Sequence, residues 1–158
     1  MKKVIFLDLE NTIILSWDDF LNNPYNGLIN EKSIRKYLKS INCKEIRIFS
    51  HAIYDCDDLR LFHRDMCRMI EILLNVKVVH VETVINLIVQ QRLGNMTASA
   101  YCRMFSKTDS FTRYLETQSD SNTDFEYVLI DDEVVDKRLN CVSYEVEFIN
   151  IKSILREY

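Results

Sequence analysis

Two carboxylates and a hydroxyl, Asp8, Glu10 and Thr12, follow the first apolar run of the chain, Val4 to Leu7. An unbroken apolar run with a β-branched start is typical of a strand that is buried on both faces. Ligands of open α/β sheets bind where such strands end, so these side chains mark a candidate site. On an extended backbone Asp8 and Glu10 point to the same side, which is unfavourable unless a cation neutralises them or one is protonated. The pair therefore suits a hard metal ion with oxygen ligands, or a nucleophile beside an acid.

A second acidic pair, Asp131 and Asp132, follows another apolar run, Tyr127 to Ile130. If the two runs form neighbouring strands, three or four carboxylates converge at one edge of the sheet, and a bound divalent cation would neutralise them. Carboxylate-rich sites favour Mg²⁺ over zinc, and Mg²⁺ commonly keeps waters and a phosphate oxygen as further ligands. A single acidic pair is better explained as a helix cap or a solvated turn, so this interpretation depends on both pairs.

The composition indicates one folded domain covering residues 1–158. Hydrophobic residues make up 47% of the chain, no apolar run approaches the roughly 20 residues that span a bilayer, and the start lacks the core of a signal peptide. The five cysteines include no Cys-x-x-Cys pair, which predicts reduced thiols in a cytoplasmic protein with no membrane association. A net charge of −4 argues against a protein that coats nucleic acid, so nucleic acid remains only a candidate substrate.

Apolar periodicity predicts an α/β fold in which strands alternate with helices. Strands are predicted at Val4–Leu7, Glu45–Ser50, Val76–His80, Tyr127–Asp132 and Val146–Ile151. Helices are predicted after Asn30, from Asp57 or Asp58 to Leu74, at Glu82–Leu93 and Ala98–Phe105, from near Thr108, and through Asp136–Arg138. Residues 13–29 are predicted to form a compact flap over the strand ends, and 118–124 a polar loop. The alternation implies a central parallel sheet with helices on both faces.

The order of these features resembles the haloacid dehalogenase (HAD) superfamily of phosphatases. The four motifs of that family are matched here, in order, by Asp8-Leu9-Glu10-Asn11-Thr12, by Ser50 after Ile48-Phe49, by Lys107, and by Asp131-Asp132 with Asp136 behind them. The resemblance spans nearly the whole chain and implies a three-layer, Rossmann-like fold. The segment between the first two motifs is too short for a large cap domain, so a small uncapped member is expected.

The resemblance implies a Mg²⁺-dependent phosphomonoester hydrolase. Asp8 would be the nucleophile that forms an aspartyl-phosphate, and Glu10 would protonate the leaving oxygen and then deprotonate the attacking water. Asp8, the backbone carbonyl of Glu10, and Asp131 or Asp132 would hold the Mg²⁺. Most members have Asp where Glu10 stands, and the extra methylene moves the acid by about an ångström.

The phosphate oxygens would be bound by Ser50, Lys107 and Thr12, and Lys107 would also screen the repulsion between Asp8 and an anionic substrate. Considered alone, Ser50 is an ordinary strand-end cap and Lys107 a solvated surface lysine. A basic stripe, Arg60, His63, Arg64 and Arg68, is either a solvated helix face or a contact surface for a phosphorylated polymer or partner. The resemblance implies an open site, and open sites in this superfamily often act on macromolecular phosphates, or on small ones when an oligomer partner supplies a lid.

A second class of function stays open at this point. The chain could be a catalytically weak or inactive HAD-like regulatory or binding protein, such as a phage modulator of a host protein, because fold does not fix function. Scarce glycine and an Asn/Ile/Lys-rich composition are compatible with an AT-rich phage genome. Degenerate members of the superfamily typically lose the nucleophile, whereas Asp8 is present here, which favours the phosphatase. A protein partner is expected for the alternative.

Overall fold

Six strands form one sheet in the part of the chain that the structure, a computed structural model, describes: residues 2–23, 27–118, 125–141 and 144–158. The strands are β1 (Lys2–Leu7), β2 (Glu45–Ile48), β3 (Lys77–Val81), β4 (Phe125–Asp131), β5 (Lys137–Asn140) and β6 (Glu145–Asn150). The helices are α1 (Trp17–Asn22), α2 (Glu31–Ser40), α3 (Cys56–Asp65), α4 (Cys67–Leu74), α5 (Val84–Gln90), α6 (Ala98–Met104), α7 (Lys107–Thr117) and α8 (Ile151–Glu157).

The sheet has the order β3-β2-β1-β4-β6-β5, and only β5 runs antiparallel to its neighbour. Within it β1 lies between β2 and β4, with Leu7 opposite both Ile48 and Ile130. The carboxyl ends of these three strands therefore meet at one edge of the sheet. The condition for the two acidic pairs to converge, that their strands are neighbours, is therefore met.

Side chains alternate along β1 between two apolar cores, one on each face of the sheet. Ile5 and Leu7 pack into a core with residues of α1–α4 and α8, whereas Phe6 packs into a core with residues of α5–α7. Phe6 meets the ring of Phe111 edge-on at 4.9 Å. Burying a side chain of this size contributes about 1.5–3 kcal/mol to the stability of the fold, so the helices on both faces are held firmly against the sheet. The predicted α/β architecture with helices on both faces is confirmed.

The carboxyl-terminal part of the chain differs from the prediction. The helix expected through Asp136–Arg138 was wrong, because Lys137–Asn140 forms the edge strand β5, on which Arg138 pairs with Glu147 of β6. The last strand ends at Asn150 rather than Ile151, and the Asn150 side chain accepts a hydrogen bond from the Lys152 amide and caps α8. The sequence analysis did not predict α8, although a capping Asn followed by the buried pair Ile151 and Ile154 is its signal.

The predicted long helix ending at Leu74 is two helices that meet at Met66. Met66 is itself buried and has φ −120°, which interrupts the helical ladder between α3 and α4. The first helix is capped by Asp55, which accepts from the amides of Asp57 and Asp58, so it begins earlier than expected.

Two segments predicted to lack regular structure, 13–29 and 118–124, are only partly described by the structure. The stretch 13–29 contains the short helix α1, which buries Trp17 and Phe20, while 24–26 lie outside the described residues. Most of the predicted loop 118–124 also lies outside them. Among the described residues, no helix is long and apolar enough to cross a bilayer.

Candidate functional site

Three aspartates, Asp8, Asp131 and Asp132, converge at the carboxyl end of β1 and β4. Each offers a carboxylate oxygen, and the three oxygens lie within 4.8 Å of one another. Asp8 is 2% exposed and Asp131 is fully buried, while Asp132 is half-buried. Three carboxylates this close repel one another in a poorly solvated place, so the site favours positive charge or bound protons.

The turn after β1 fixes Asp8 and explains why Thr12 stands where it does. The amides of Thr12, Ile13 and Ile14 all donate to the carbonyl of Leu9, which ends the strand in a tight turn. Within that turn the Thr12 hydroxyl donates to Asp8 Oδ2 at 3.2 Å. Thr12 is fully buried. Its observed contact therefore orients the Asp8 carboxylate, while the predicted contact with phosphate stays a prediction.

Lys107 supplies positive charge inside the cluster. Its Nζ lies 2.7 Å from Asp8 Oδ1 and 3.1 Å from Asp131 Oδ2, and the residue is 6% exposed. Ser106 caps α7 by accepting from the Asp109 amide, which sets Lys107 at the first position of the helix. Burial alone lowers the pKa of Lys107, but Asp8 and Asp131 outweigh it and raise the pKa above its usual value. The ammonium group is therefore charged, and the interpretation as a solvated surface lysine was wrong.

The single positive charge of Lys107 does not neutralise three carboxylates. The remaining repulsion contributes to the raised pKa values of Asp131 and Asp132. Burial, followed by repulsion from Asp8, raises the pKa of Asp131 to about 6, although Lys107 partly opposes this. Burial and the charges of Asp8 and Asp131 raise the pKa of Asp132 to about 7. Near neutral pH the cluster therefore holds protons that a divalent cation would displace.

Glu10 stands apart from the three aspartates. Its Oε2 accepts a hydrogen bond from the Trp17 amide at 2.9 Å, and the residue is partly exposed. Strand β1 ends at Leu7, as predicted, and Glu10 lies at the start of the tight turn closed on the Leu9 carbonyl, outside the group of three carboxylates. The predicted metal ligand at this position was the backbone carbonyl, and that role stays a prediction.

Ser50 follows β2 and lies beside this edge of the sheet, because the Phe49 amide donates to the Leu7 carbonyl at 3.0 Å. The hydroxyl oxygen accepts from the Ala52 amide at 3.1 Å, which is the ordinary strand-end cap. Its own proton makes no hydrogen bond to any described residue, so it remains able to donate to a bound anion.

The sequence analysis assigned no role to three polar residues beside the site. His51 Nε2 lies 3.1 Å from Ser110 Oγ, which lies 2.8 Å from the Tyr101 hydroxyl. His51 directly follows Ser50, and Ser110 follows Lys107 by one helical turn. That spacing was visible in the sequence, but nothing in it showed that the two segments touch.

Two other predicted features are not part of the group of three aspartates. The Asp136 carboxylate accepts hydrogen bonds from the Asn150 amide, at 2.6 Å, and from the Ser153 hydroxyl, so it anchors the start of α8. In the basic stripe, Arg60 and Arg64 are exposed and pair with neighbouring acids. Such pairs are expected of a solvated helix face, and a contact role for the stripe stays a prediction.

Comparison with models of known protein families, with curated proteins and with solved structures finds no match. Inferences about function therefore depend on the chemistry of this chain alone. A buried carboxylate, Asp8, lies against an ammonium group and two further carboxylates at the end of parallel strands. This arrangement can bind a divalent cation and can place a carboxylate oxygen next to a bound anion.

Proposed function

We propose that this protein is a HAD-like, Mg²⁺-dependent phosphomonoester hydrolase that works through an aspartyl-phosphate on Asp8. The observation that carries the proposal is the position of Lys107 between Asp8 and Asp131, with Asp132 completing the carboxylate cluster. A merely structural ion pair needs one acid for one base. Two additional carboxylates in a buried place are costly to stability and are readily explained by a bound cation.

The aspartate cluster suits Mg²⁺ by the chemistry of its donors. All three side chains offer hard carboxylate oxygens, and no His or Cys joins the group among the described residues. Asp8, Asp131 and Asp132 would hold the ion, with the Glu10 carbonyl as the further ligand that the resemblance implies. When bound, Mg²⁺ would neutralise charge on the transferring phosphoryl group.

The first chemical step uses Asp8 as nucleophile. A carboxylate oxygen of Asp8 attacks phosphorus, the phosphorus–oxygen bond to the leaving group breaks, and an aspartyl-phosphate forms. The Lys107 ammonium, 2.7 Å from Asp8, reduces repulsion between the carboxylate and the incoming phosphate. The Ser50 hydroxyl, with its unused proton, donates to a phosphate oxygen. Thr12 holds the Asp8 carboxylate in one orientation.

Glu10 moves the proton in both steps. It first gives its proton to the leaving oxygen, then takes a proton from the water that attacks phosphorus, and Asp8 is released with inorganic phosphate. The hydrogen bond from the Trp17 amide to Oε2 fixes the side chain and leaves Oε1 to carry the proton. A carboxyl group held by a backbone amide is well oriented for proton transfer.

The test of this function is hydrolysis of p-nitrophenyl phosphate and a panel of phosphomonoesters, with Mg²⁺ and with chelator. We expect Mg²⁺-dependent turnover by the wild type and none by Asp8→Asn, which removes the nucleophile but keeps the shape. Asp18→Asn is the matched control, because Asp18 is an exposed acid on α1 outside the cluster. Equal turnover by Asp8→Asn and wild type would exclude the nucleophile proposed here.

A second candidate, a binding module, is favoured by exposed apolar side chains on the loops that follow β1 and β4. Leu15 is 57% exposed and Val135 is 75% exposed, and both loops emerge at the edge that holds the aspartates. Exposed apolar residues near a site suit a protein partner. One double variant distinguishes the two candidate functions. Leu15→Ser combined with Val135→Ser would weaken the binding of a protein partner but leave p-nitrophenyl phosphate turnover unchanged.

A further inference from the structure

A buried run of polar side chains joins the two segments that carry Ser50 and Lys107. His51 Nε2 lies 3.1 Å from Ser110 Oγ, and Ser110 Oγ lies 2.8 Å from the Tyr101 hydroxyl. Ser110 is fully buried within α7. Because His51 adjoins Ser50 and Ser110 lies one turn beyond Lys107, the His51–Ser110 bond links the loop after β2 directly to the start of α7.

The groups along this run can donate in either of two directions. When the Gln91 side-chain amide donates to the Tyr101 hydroxyl at 3.1 Å, the Tyr101 proton goes to Ser110 and the Ser110 proton to His51 Nε2. When the Tyr101 hydroxyl donates to Gln91 Oε1 at 3.3 Å, Ser110 donates to Tyr101 and His51 Nε2–H donates to Ser110. A neutral imidazole is required to accept at Nε2. Burial and the nearby Lys107 lower the pKa of His51 to about 3, so the ring is neutral at physiological pH.

Other contacts hold the His51 ring and backbone in place. The ring meets Tyr101 edge-on at 5.8 Å and lies 6.4 Å from the ring of Phe49. The thiol of Cys102 on α6 donates to the His51 carbonyl at 3.6 Å. Two residues further on, the Ile53 carbonyl accepts from the Val84 amide at the start of α5. The loop after β2 is therefore anchored to α5, α6 and α7 together.

We propose that His51, acting through Ser110, is a positioning residue that sets the separation of Ser50 and Lys107. The inference rests on the proposed function, in which Ser50 and Lys107 bind the same phosphate. Two donors that approach one phosphate from different elements act together only when their separation is fixed before binding. If Ser50 and Lys107 acted independently of each other, the His51–Ser110 bond between their two segments would have no effect on phosphate binding.

The link itself is measured without any turnover. We expect Ser110→Ala to shift the backbone amide resonance of Ser50, and His51→Ala to shift that of Lys107, in ¹⁵N correlation spectra. His63→Ala is the matched control, because His63 is exposed on α3. Unchanged Ser50 and Lys107 resonances in correctly folded Ser110→Ala and His51→Ala would overturn the inference.

The consequence for phosphate is measured as the inhibition constant of orthovanadate and as KM and kcat for p-nitrophenyl phosphate. Loss of one ordinary hydrogen bond is expected to raise KM and the inhibition constant by about three- to tenfold in either single variant, with kcat changed less. The double variant is expected to match the singles, because both remove the same link. His51→Gln, whose side-chain amide oxygen can accept from Ser110 and whose amide nitrogen can donate to it, is expected to restore most of the affinity.

Several outcomes separate the two proposals. A wild type that hydrolyses phosphomonoesters, with additive effects in the double variant or no rescue by His51→Gln, overturns the positioning role alone. A wild type that neither binds orthovanadate nor turns over substrate overturns the proposed function, and the positioning role with it. Ser110→Ala removes only one oxygen, so the test does not depend on whether His51→Ala folds.

Discussion

Among the described residues, the sheet carries two places where a base lies between two acids, and they differ chiefly in the exposure of the base. At the carboxyl end of β4, Lys107 lies 2.7 Å from Asp8 and 3.1 Å from Asp131, and its side chain is 7% exposed. At the amino end of the same strand, Arg138 lies 3.7 Å from Glu126 and 3.0 Å from Glu147, and its side chain is 65% exposed. The same charge pattern is thus present once around a buried base and once around an exposed base, and we call these the buried group and the exposed group.

The difference shows what burial does to an ion pair. Water surrounds the Arg138 guanidinium, so its attraction to Glu126 and Glu147 is screened, although Glu126 itself is 6% exposed. The Lys107 group is poorly solvated, so its charges act strongly on one another and on any bound ion. The buried group is therefore suited to binding and chemistry, whereas the exposed one joins β5 to β6.

The largest expected effect concerns proton transfer at the carboxyl end of the sheet. Glu10→Gln keeps the backbone carbonyl but removes the proton carrier, so kcat should fall by about 10²–10⁴-fold. The loss should be smaller for p-nitrophenyl phosphate than for an alkyl phosphate, because a good leaving group needs little protonation. Steady-state kinetics on both substrates provide the measurement. Glu147→Gln, in the exposed group, serves as control and should leave kcat unchanged; an equal loss in both variants would contradict the assignment.

Removing the base from each group measures how much that group contributes to the stability of the fold. Lys107→Met leaves Asp8 and Asp131 buried without a cation, and we expect it to lower the free energy of unfolding by about 3–5 kcal/mol in chelator. Arg138→Met is the matched variant and should produce no resolvable change, because its guanidinium is largely in water. Urea unfolding followed by circular dichroism measures both. Similar losses in the two variants would show that burial does not separate the groups as argued.

Some of this contrast was predictable from sequence and some was not. The apolar runs before Asp8 and Asp131 predicted buried parallel strands, and parallel strands bring their carboxyl ends together, so the acidic cluster was expected. Strand β5 was missed because its residues, Lys137 to Asn140, are mostly polar and become a strand only by pairing with β6.

Long-range contacts were the least predictable part of the site. Lys107 was assigned to the phosphate only through the order of the motifs, since it is 99 residues from Asp8 and no local pattern links them. The bond between His51 and Ser110 spans 59 residues and depends on how α6 and α7 pack, which the sequence does not reveal.

Magnesium should stabilise the folded protein through the buried group alone. A ligand present at a hundredfold excess over its Kd, and bound only by the folded state, adds about 2.7 kcal/mol, which for a chain of this length raises Tm by about 5–10 °C. Asp132→Asn should reduce this shift, whereas Glu126→Gln in the exposed group should not. Differential scanning calorimetry with and without Mg²⁺ tests this, and a shift that survives in Asp132→Asn would argue for a different site.

The smallest expected effect is a dependence of stability on pH that only the buried group should show. In the folded state the pKa of Asp131 is raised to about 6 and that of Asp132 to about 7, whereas the unfolded chain has ordinary aspartates near 3.8. Between about pH 4 and 7 the folded state therefore binds more protons than the unfolded state. Stability from this source is fully present at the acid end of that window and is lost as the pH rises through the folded pKa values. Without Mg²⁺, the wild type should lose stability relative to Asp132→Asn as the pH rises from 5 to 8.

Other carboxylates also titrate with folding, so the measurement is the difference between variants and not the slope of one protein. Urea unfolding of wild type, Asp132→Asn and Glu147→Gln across that range in chelator isolates the contribution of the aspartate cluster. Glu147→Gln should follow the wild type, because Glu147 lies in the exposed group. Adding Mg²⁺ should oppose the decline, since the ion replaces the displaced protons and binds more tightly as they leave. A wild type and Asp132→Asn that run parallel from pH 5 to 8 would mean that the three carboxylates do not share protons, and the electrostatic basis of the Mg²⁺ site would fall with that result.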